Sequence, residues 1–143
     1  MSNNLLINLK KNGSKELGYL SYFESNKDVQ FLIKRIYYIY DVPVNTKRGM
    51  HAHKNLQQML WCPYGSIEVF VDNGKTKEMY LLDSPEVGLL VGKGIWHDMY
   101  WKIEGSILCV AASEYYDEKD YIRNYDEFLK YVKEGYWNEE NKL

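Results

Sequence analysis

Up to about residue 114, short runs of apolar, aromatic and β-branched residues follow one another, separated by turn signals. SIEVFVD (66–72) shows the pattern best: Ile67, Val69 and Val71 share one side, Glu68 and Phe70 the other, as in a half-buried antiparallel strand. Comparable runs are LLINL (5–9), GYLSYFE (18–24), FLIKRIYYIY (31–40), NLQQMLWCPY (55–64), KEMYLL (77–82), GLLVG (88–92), HDMYWK (97–102) and SILCVAAS (106–113). PYG, DNG, DSP, GKG and EG punctuate them, and DNG at 72–74 marks a hairpin. In the run 31–40, Arg35, Tyr37 and Ile39 fall on one face, and Lys34, Ile36 and Tyr38 on the other. Beyond residue 114 the period changes. Tyr125, Phe128, Leu129 and Val132 recur at helical spacing, with Asp126 and Glu127 early and Lys130 and Lys133 late, so a helix is predicted over about 124–134, stopped by Gly135. Many short strands and one terminal helix predict an all-β sandwich or barrel.

Composition narrows the function classes. A chain of 143 residues predicts a single domain spanning 1–143. Its 18 basic and 20 acidic side chains nearly balance, which gives no footprint for nucleic acid or a membrane surface. No apolar run reaches the ~20 residues that span a bilayer, and MSNNLLINLKKNGSK lacks the apolar region of a secretory leader. Cys62 and Cys109 each sit in an apolar run, as reduced core thiols do. A cytoplasmic protein is expected.

The chemistry-bearing stretch is RGMHAHKNLQQ (48–58). Residues two apart on a strand share a face, so if RGMHAHK enters a strand, His51 and His53 look into one space while Ala52 faces away. Such a pair can hold a metal, move a proton or pack. G49-x-H51-x-H53, then Gln58 and Gly65, resembles the first motif of cupins, small jelly-roll barrels; G92-x-G94-x-x-H97 resembles the second. The cupin likeness implies that His97 joins His51 and His53 near the barrel mouth. Three imidazoles suit zinc, iron, manganese or nickel. Gln58, however, stands where a cupin of the metal-binding kind supplies glutamate, which shifts the reading toward proton transfer by imidazoles of pKa near ~6.5. Arg35 and Arg48 offer forked donors for an anionic ligand, and Trp96 offers a ring to stack on a ligand. The acidic stretch 113–128, with Glu114, Asp117, Glu118, Asp120 and Asp126, reads as a solvated loop, whereas its tyrosines and Arg123 favour packing back over the fold or onto another subunit.

IKRIYYIYD (33–41), RGMHAHKNLQQ, LDSPEVGLLVGKGIWHDM (82–99) and ASEYYDEKDYIRNYDEF (112–128), in this order and spacing, resemble the sugar-nucleotide 3,4-ketoisomerases, cupin enzymes acting on dTDP-4-dehydro-6-deoxyglucose in deoxysugar biosynthesis. The resemblance implies a cupin jelly-roll barrel with a short C-terminal helix and a homodimer with exchanged strands. It implies a dTDP-linked keto-deoxy sugar as substrate and no metal or other cofactor. The carbonyl would move from C4 to C3 through an enediol. His51 and His53 match the family's two active-site histidines, with His53 expected at C3 and His51 at C4, and Tyr37 relaying a hydroxyl proton. Arg35, Arg48, Gln58, Trp96 and His97 would bind substrate. The likeness departs at Leu17, where relatives often carry arginine before the glycine; this bears on the C4 configuration of the product. The competing readings are a metal-dependent cupin enzyme, a deoxysugar epimerase, and a non-catalytic cupin that binds a nucleotide sugar.

Overall fold

The structure is a computed structural model that describes residues 5–138; the part of the leader reading that rests on residues 1–4 lies outside them. Twelve strands are formed among the described residues: β1 (Leu6–Asn8), β2 (Lys10–Ser14), β3 (Gly18–Tyr22), β4 (Arg35–Ile39), β5 (Lys47–His53), β6 (Gln58–Tyr64), β7 (Ile67–Asp72), β8 (Lys77–Leu82), β9 (Val87–Val91), β10 (Trp96–Trp101), β11 (Ile107–Ala112) and β12 (Tyr121–Ile122). A 3-10 turn at Glu118–Asp120 precedes β12, and helix α1 (Tyr125–Lys133) follows it. Asn124 caps α1 by accepting from the Glu127 backbone N–H at 2.9 Å, and Gly135 leaves the helix at φ 73°.

Two antiparallel five-stranded sheets face each other, ordered β1-β9-β6-β11-β4 and β12-β5-β10-β7-β8. The alternation read from the sequence decides what lies between them: Ile67, Val69 and Val71 of β7, Met99 and Trp101 of β10, Leu60 of β6, Leu89 and Val91 of β9, and Leu108 and Val110 of β11 form one buried core. The expected barrel is not what forms. Both sheets are open, ending on β1 and β4 and on β12 and β8, and they are joined by side-chain packing rather than by a continuous ladder. Where the chain passes between sheets, at β6 to β7 and β8 to β9, it carries Pro63 and Pro85, which have no N–H to extend a ladder around the corner.

Three strands lie outside the predicted runs: β5, which the histidine spacing suggests only conditionally, β2 and β12. β2 is polar and exposed, so it has no burial pattern; only backbone pairing with β3 defines it, and that ribbon pairs with nothing else among the described residues. β12 lies in the acidic stretch read as a loop and pairs with β5, Tyr121 opposite His53 and Ile122 opposite Ala52. The run 31–40 is a strand only from Arg35, because Phe31 turns away to pack with Val29 and Met59 on the outer side of the first sheet.

One irregularity positions the functional residues. Between β5 and β10 the register runs His51 to His97, then Gly49 to Asp98 and Arg48 to Met99, leaving Met50 unpaired in a bulge. Gly49 and Met50 both have positive φ, 91° and 61°. The bulge inverts the alternation, so Arg48, three residues from His51, lies on the same inner face. A Cβ at Gly49 would stand 2.8 Å from the His97 carbonyl oxygen, on top of an unfavourable φ. Gly49→Ala is therefore expected to cost about 1–3 kcal/mol and to shift the His97 backbone; urea unfolding and the His97 amide chemical shift check this, and an unchanged midpoint would contradict it.

Candidate active site

The chain's three histidines meet at one end of the space between the sheets. β5 delivers His51 and His53, and β10 delivers His97 directly opposite His51. Ring centroids are 5.0 Å apart for His51–His53, 4.7 Å for His51–His97 and 6.0 Å for His53–His97. Each Nδ1 faces an oxygen at 3.1 Å: the Gly49 carbonyl for His51, the Ile95 carbonyl for His97 and the Asp120 carboxylate for His53. Carbonyls and carboxylates only accept, so each Nδ1 carries the hydrogen, and each neutral ring keeps its lone pair on Nε2.

A cavity of about 400 Å³ opens onto this cluster. His51 and His97 line it from the second sheet with Arg48 and Met99; Arg35, Tyr37, Gln58 and Val110 line it from the first. His53 lies behind, 2% exposed, with its Nε2 buried and without a hydrogen-bond partner. Tyr116, Tyr121 and Arg123, from the segment after β11, close the remaining side. The Tyr121 ring sits 4.5 Å from His53 and 5.0 Å from His51. Arg123 stacks 4.3 Å over Tyr121 and grips both oxygens of Glu118, at 2.7 and 2.9 Å, which holds that carboxyl down at about 2.

Burial, reinforced by the neighbouring His53 imidazole, lowers His51 to about 4, and burial drives His97 well below its ordinary value. Both are therefore neutral bases at neutral pH. Burial also raises Tyr37 to about 12, so its hydroxyl keeps its proton. Gln58 Nε2 donates to the Tyr37 oxygen at 2.9 Å, which leaves the phenolic hydrogen free for another acceptor. Arg35 Nη2 is buried and unpartnered while Nε holds the Glu114 carbonyl at 3.3 Å. A fork held in this way is prepared for an anionic or carbonyl oxygen.

Of the residues singled out in the sequence, His51, His97, Tyr37, Arg35, Arg48 and Gln58 line this cavity, with His53 directly behind. Trp96 is not brought there. It precedes His97 on β10, so it points to the opposite face, packed 5.2 Å from Tyr125 and 5.7 Å from Phe128 under α1. Asp120, Tyr121 and Arg123 were not singled out as site residues, because only the pairing of β12 with β5 carries them to the histidines. A larger concavity of about 970 Å³ lies on the outer face of the second sheet, but it is an open groove whose charges pair among themselves, Lys47 with Asp98 and Lys102 with Glu68. The acid–base groups converge in the smaller one.

The three histidines also form the group, among the described residues, that could hold a metal ion, with ligand nitrogens within 4.8 Å of one another. As donors they fit a borderline divalent cation in kind. Among the described residues no carboxylate joins this group: the Gln58 amide is turned to Tyr37, and the Asp120 carboxylate lies on the Nδ1 side of His53.

With this geometry in hand, the comparisons decide the family. The model of the WxcM-like, C-terminal family matches residues 2–133. The chain belongs to that family. Within it, the TDP-4-oxo-6-deoxy-alpha-D-glucose-3,4-oxoisomerase of Aneurinibacillus thermoaerophilus is 47% identical over 129 residues, covering 90% of this chain and 92% of the relative. Among solved structures, the H51N variant of the 3,4-ketoisomerase QdtA from Thermoanaerobacterium thermosaccharolyticum, in complex with TDP-4-keto-6-deoxyglucose, superposes with a TM-score of 0.86 at 41% identity. The match covers 90% of this chain and 93% of that one. The TDP-quinovose 3,4-ketoisomerase WlaRB of Campylobacter jejuni gives 0.83 at 45% identity, over 87% and 95%. These WxcM-like relatives carry the ketoisomerase name that the sequence motifs implied.

The lowered His51 value has a consequence for stability. Between about 6.5 and about 4 the unfolded chain binds a proton at residue 51 that the folded chain refuses, so stability falls as pH drops through this window and levels off below it. His97 acts in the same direction. Urea midpoints measured from pH 7.5 to 4 should decline, and His51→Asn should flatten the decline; a rise on acidification would contradict the neutral, buried assignment.

Proposed function

We infer that this WxcM-like chain is a TDP-sugar 3,4-ketoisomerase, converting a TDP-4-keto-6-deoxyhexose to the 3-keto isomer by histidine acid–base catalysis. The observation that carries this reading is the pairing of unprotonated imidazoles with a protonated phenol across one small cavity, in a chain so similar to named ketoisomerases. The C4 ketone acidifies the C3 hydrogen. His51, which lines the cavity with its Nε2 lone pair available, takes that proton; the C–H pair becomes the C3–C4 double bond, and the carbonyl pair moves to O4. Tyr37 offers its proton to O4. Collapse of the enediol then passes the O3 proton back to the Tyr37 oxygen as C3 becomes the carbonyl, and the C3–C4 pair takes up a proton at C4 from a protonated imidazole of the pair. Hydrogen and electrons balance, so the reaction is an isomerisation without external oxidant. His53 is the second acid–base group of the pair. This reverses the division of labour expected from sequence, because His53 is buried behind His51. Arg35, Arg48 and His97 meet the sugar oxygens or the diphosphate, with Gln58 holding Tyr37. If a cation occupied the three histidines it would act as a Lewis acid on the carbonyl.

We further propose a homodimer with exchanged strands in the cytoplasm. The free ribbon β2–β3 exposes Leu17 (92%), Tyr19 and Leu20. The edge strand β4 exposes Ile36 and Tyr38. Both are apolar surfaces of the kind that a second copy covers. Light scattering should give twice the 17.0 kDa chain mass; a monomer at micromolar concentration would remove this part.

The test of the activity is incubation with TDP-4-keto-6-deoxyglucose in deuterated water, followed by NMR. Deuterium should appear at C4 of a 3-keto product, whose couplings also give the C4 configuration. No exchange at C3 or C4 would sink the reading. His51→Asn should lower turnover by about 10²- to 10⁴-fold, and turnover that tracks bound metal and vanishes with chelator would favour the metal-dependent alternative instead.

A further inference from the structure

His51 and His97 lean on backbone carbonyls, but His53 leans on a formal charge. Asp120 Oδ2 lies 3.1 Å from His53 Nδ1 with the carboxylate only 11% exposed. Asp120 is itself fixed: Oδ1 accepts from the Asn55 N–H at 2.7 Å, Oδ2 accepts from the Leu56 N–H at 3.3 Å, and its carbonyl accepts from the Lys54 N–H at 2.9 Å. The other end of the imidazole, Nε2, is buried, without a partner in the chain, and faces the rings of His51 and His97.

We propose that Asp120 is a positioning residue for the isomerisation: it fixes His53 as the Nδ1–H tautomer, with the Nε2 lone pair turned to the histidine cluster, and stabilises positive charge on that ring while a proton is in transit. Two observations separate this from simple stapling of the turn after β5. A staple for Asn55 and Leu56 needs only neutral acceptors; the negative charge finds a use only at the ring, which can become a cation. The second is the asymmetry among the rings. Among the described residues, His53 alone of the three has an anionic hydrogen-bond partner, where His51 and His97 have only neutral carbonyls. A carboxylate behind an imidazole that serves as acid or base has the same logic in unrelated enzymes.

The proposal rests on the ketoisomerase reading, and the test keeps the two apart. In Asp120→Asn the amide oxygen keeps the 2.7 Å bond from the Asn55 N–H, so the NH₂ takes the place of Oδ2: it faces Nδ1, which turns His53 to the other tautomer with hydrogen on Nε2, and the longer 3.3 Å contact from the Leu56 N–H is lost. Nitrogen-15 NMR of labelled histidine should show hydrogen on Nδ1 of His53 in the wild type and on Nε2 in the variant. The variant's kcat should fall at least about tenfold, with KM for TDP-4-keto-6-deoxyglucose kept within about threefold, and Asp120→Glu should recover part of kcat. Wild-type His53 protonated on Nε2 would overturn the proposal, and that measurement stands even if Asp120→Asn does not fold. Normal wild-type turnover with Asp120→Asn equally fast would overturn it too. A wild-type chain that does not turn over the keto sugar would instead overturn the ketoisomerase reading, and Asp120's part in the reaction with it.

Discussion

The antiparallel pairing of β5 with β10 is the constraint from which the site follows. It sets His51 against His97, and its bulge at Met50 turns Arg48 onto the same inner face. A regular ladder would have put Gly49 beside His51 and sent Arg48 outward. The site thus gains a guanidinium next to its bases through a backbone irregularity that tolerates only glycine at residue 49, where the His97 carbonyl leaves no room for a Cβ. The same strand pair keeps Ala52 and Trp96 outward, and these seat α1 and the aromatic cluster of Phe128 and Trp137. One face of the pair is chemistry and the other is the clamp that holds it.

Electrostatics then assigns roles that proximity alone does not. Three imidazoles within a few ångströms cannot all charge, and burial keeps His51 and His97 neutral. Neutral rings in a dry cavity are better bases toward a carbon acid than solvated ones, since no water must be stripped first. Two cations of the site are held by other contacts: Arg35 against the Glu114 carbonyl and Arg123 in the fork of Glu118. The guanidinium groups and the neutral bases of the site are therefore held by separate contacts.

Much of this was legible in the sequence, and what was not has physical causes. The period-two alternation gave Ile67, Val69 and Val71 their inward face, and the helical spacing of Tyr125, Phe128, Leu129 and Val132 matched α1 closely. The likeness of His51, His53, Gln58 and His97 to paired cupin motifs anticipated one site, and the structure brings them together. Trp96 lies away from this cavity for the very reason His97 lines it, since neighbours on a strand face opposite ways. Sheet closure was not legible: alternation reports which face is buried, and is silent on whether the edge strands hydrogen-bond to one another. Asp120 was hidden because an acidic residue in a polar stretch carries no periodic signal. Its meaning depends on a contact 67 positions away in sequence, made by a two-residue strand too short to leave a pattern.

The open architecture bears on how the site is kept dry. In a closed sheet the ladder itself would wall the cavity, whereas here the space between the sheets ends at their edges and needs a cover. The segment from Tyr116 to Arg123 supplies it: β12 extends the second sheet past β5, Tyr121 lies against both His51 and His53, and the Arg123–Glu118 pair stacks on Tyr121 from outside. Asp120 sits within this cover and is at once its anchor to the turn after β5 and the partner of His53. Shielding the cavity and orienting the buried histidine are consequently a single structural event. A change that loosens the cover admits water and frees the imidazole together, which couples exclusion of solvent to readiness for proton transfer.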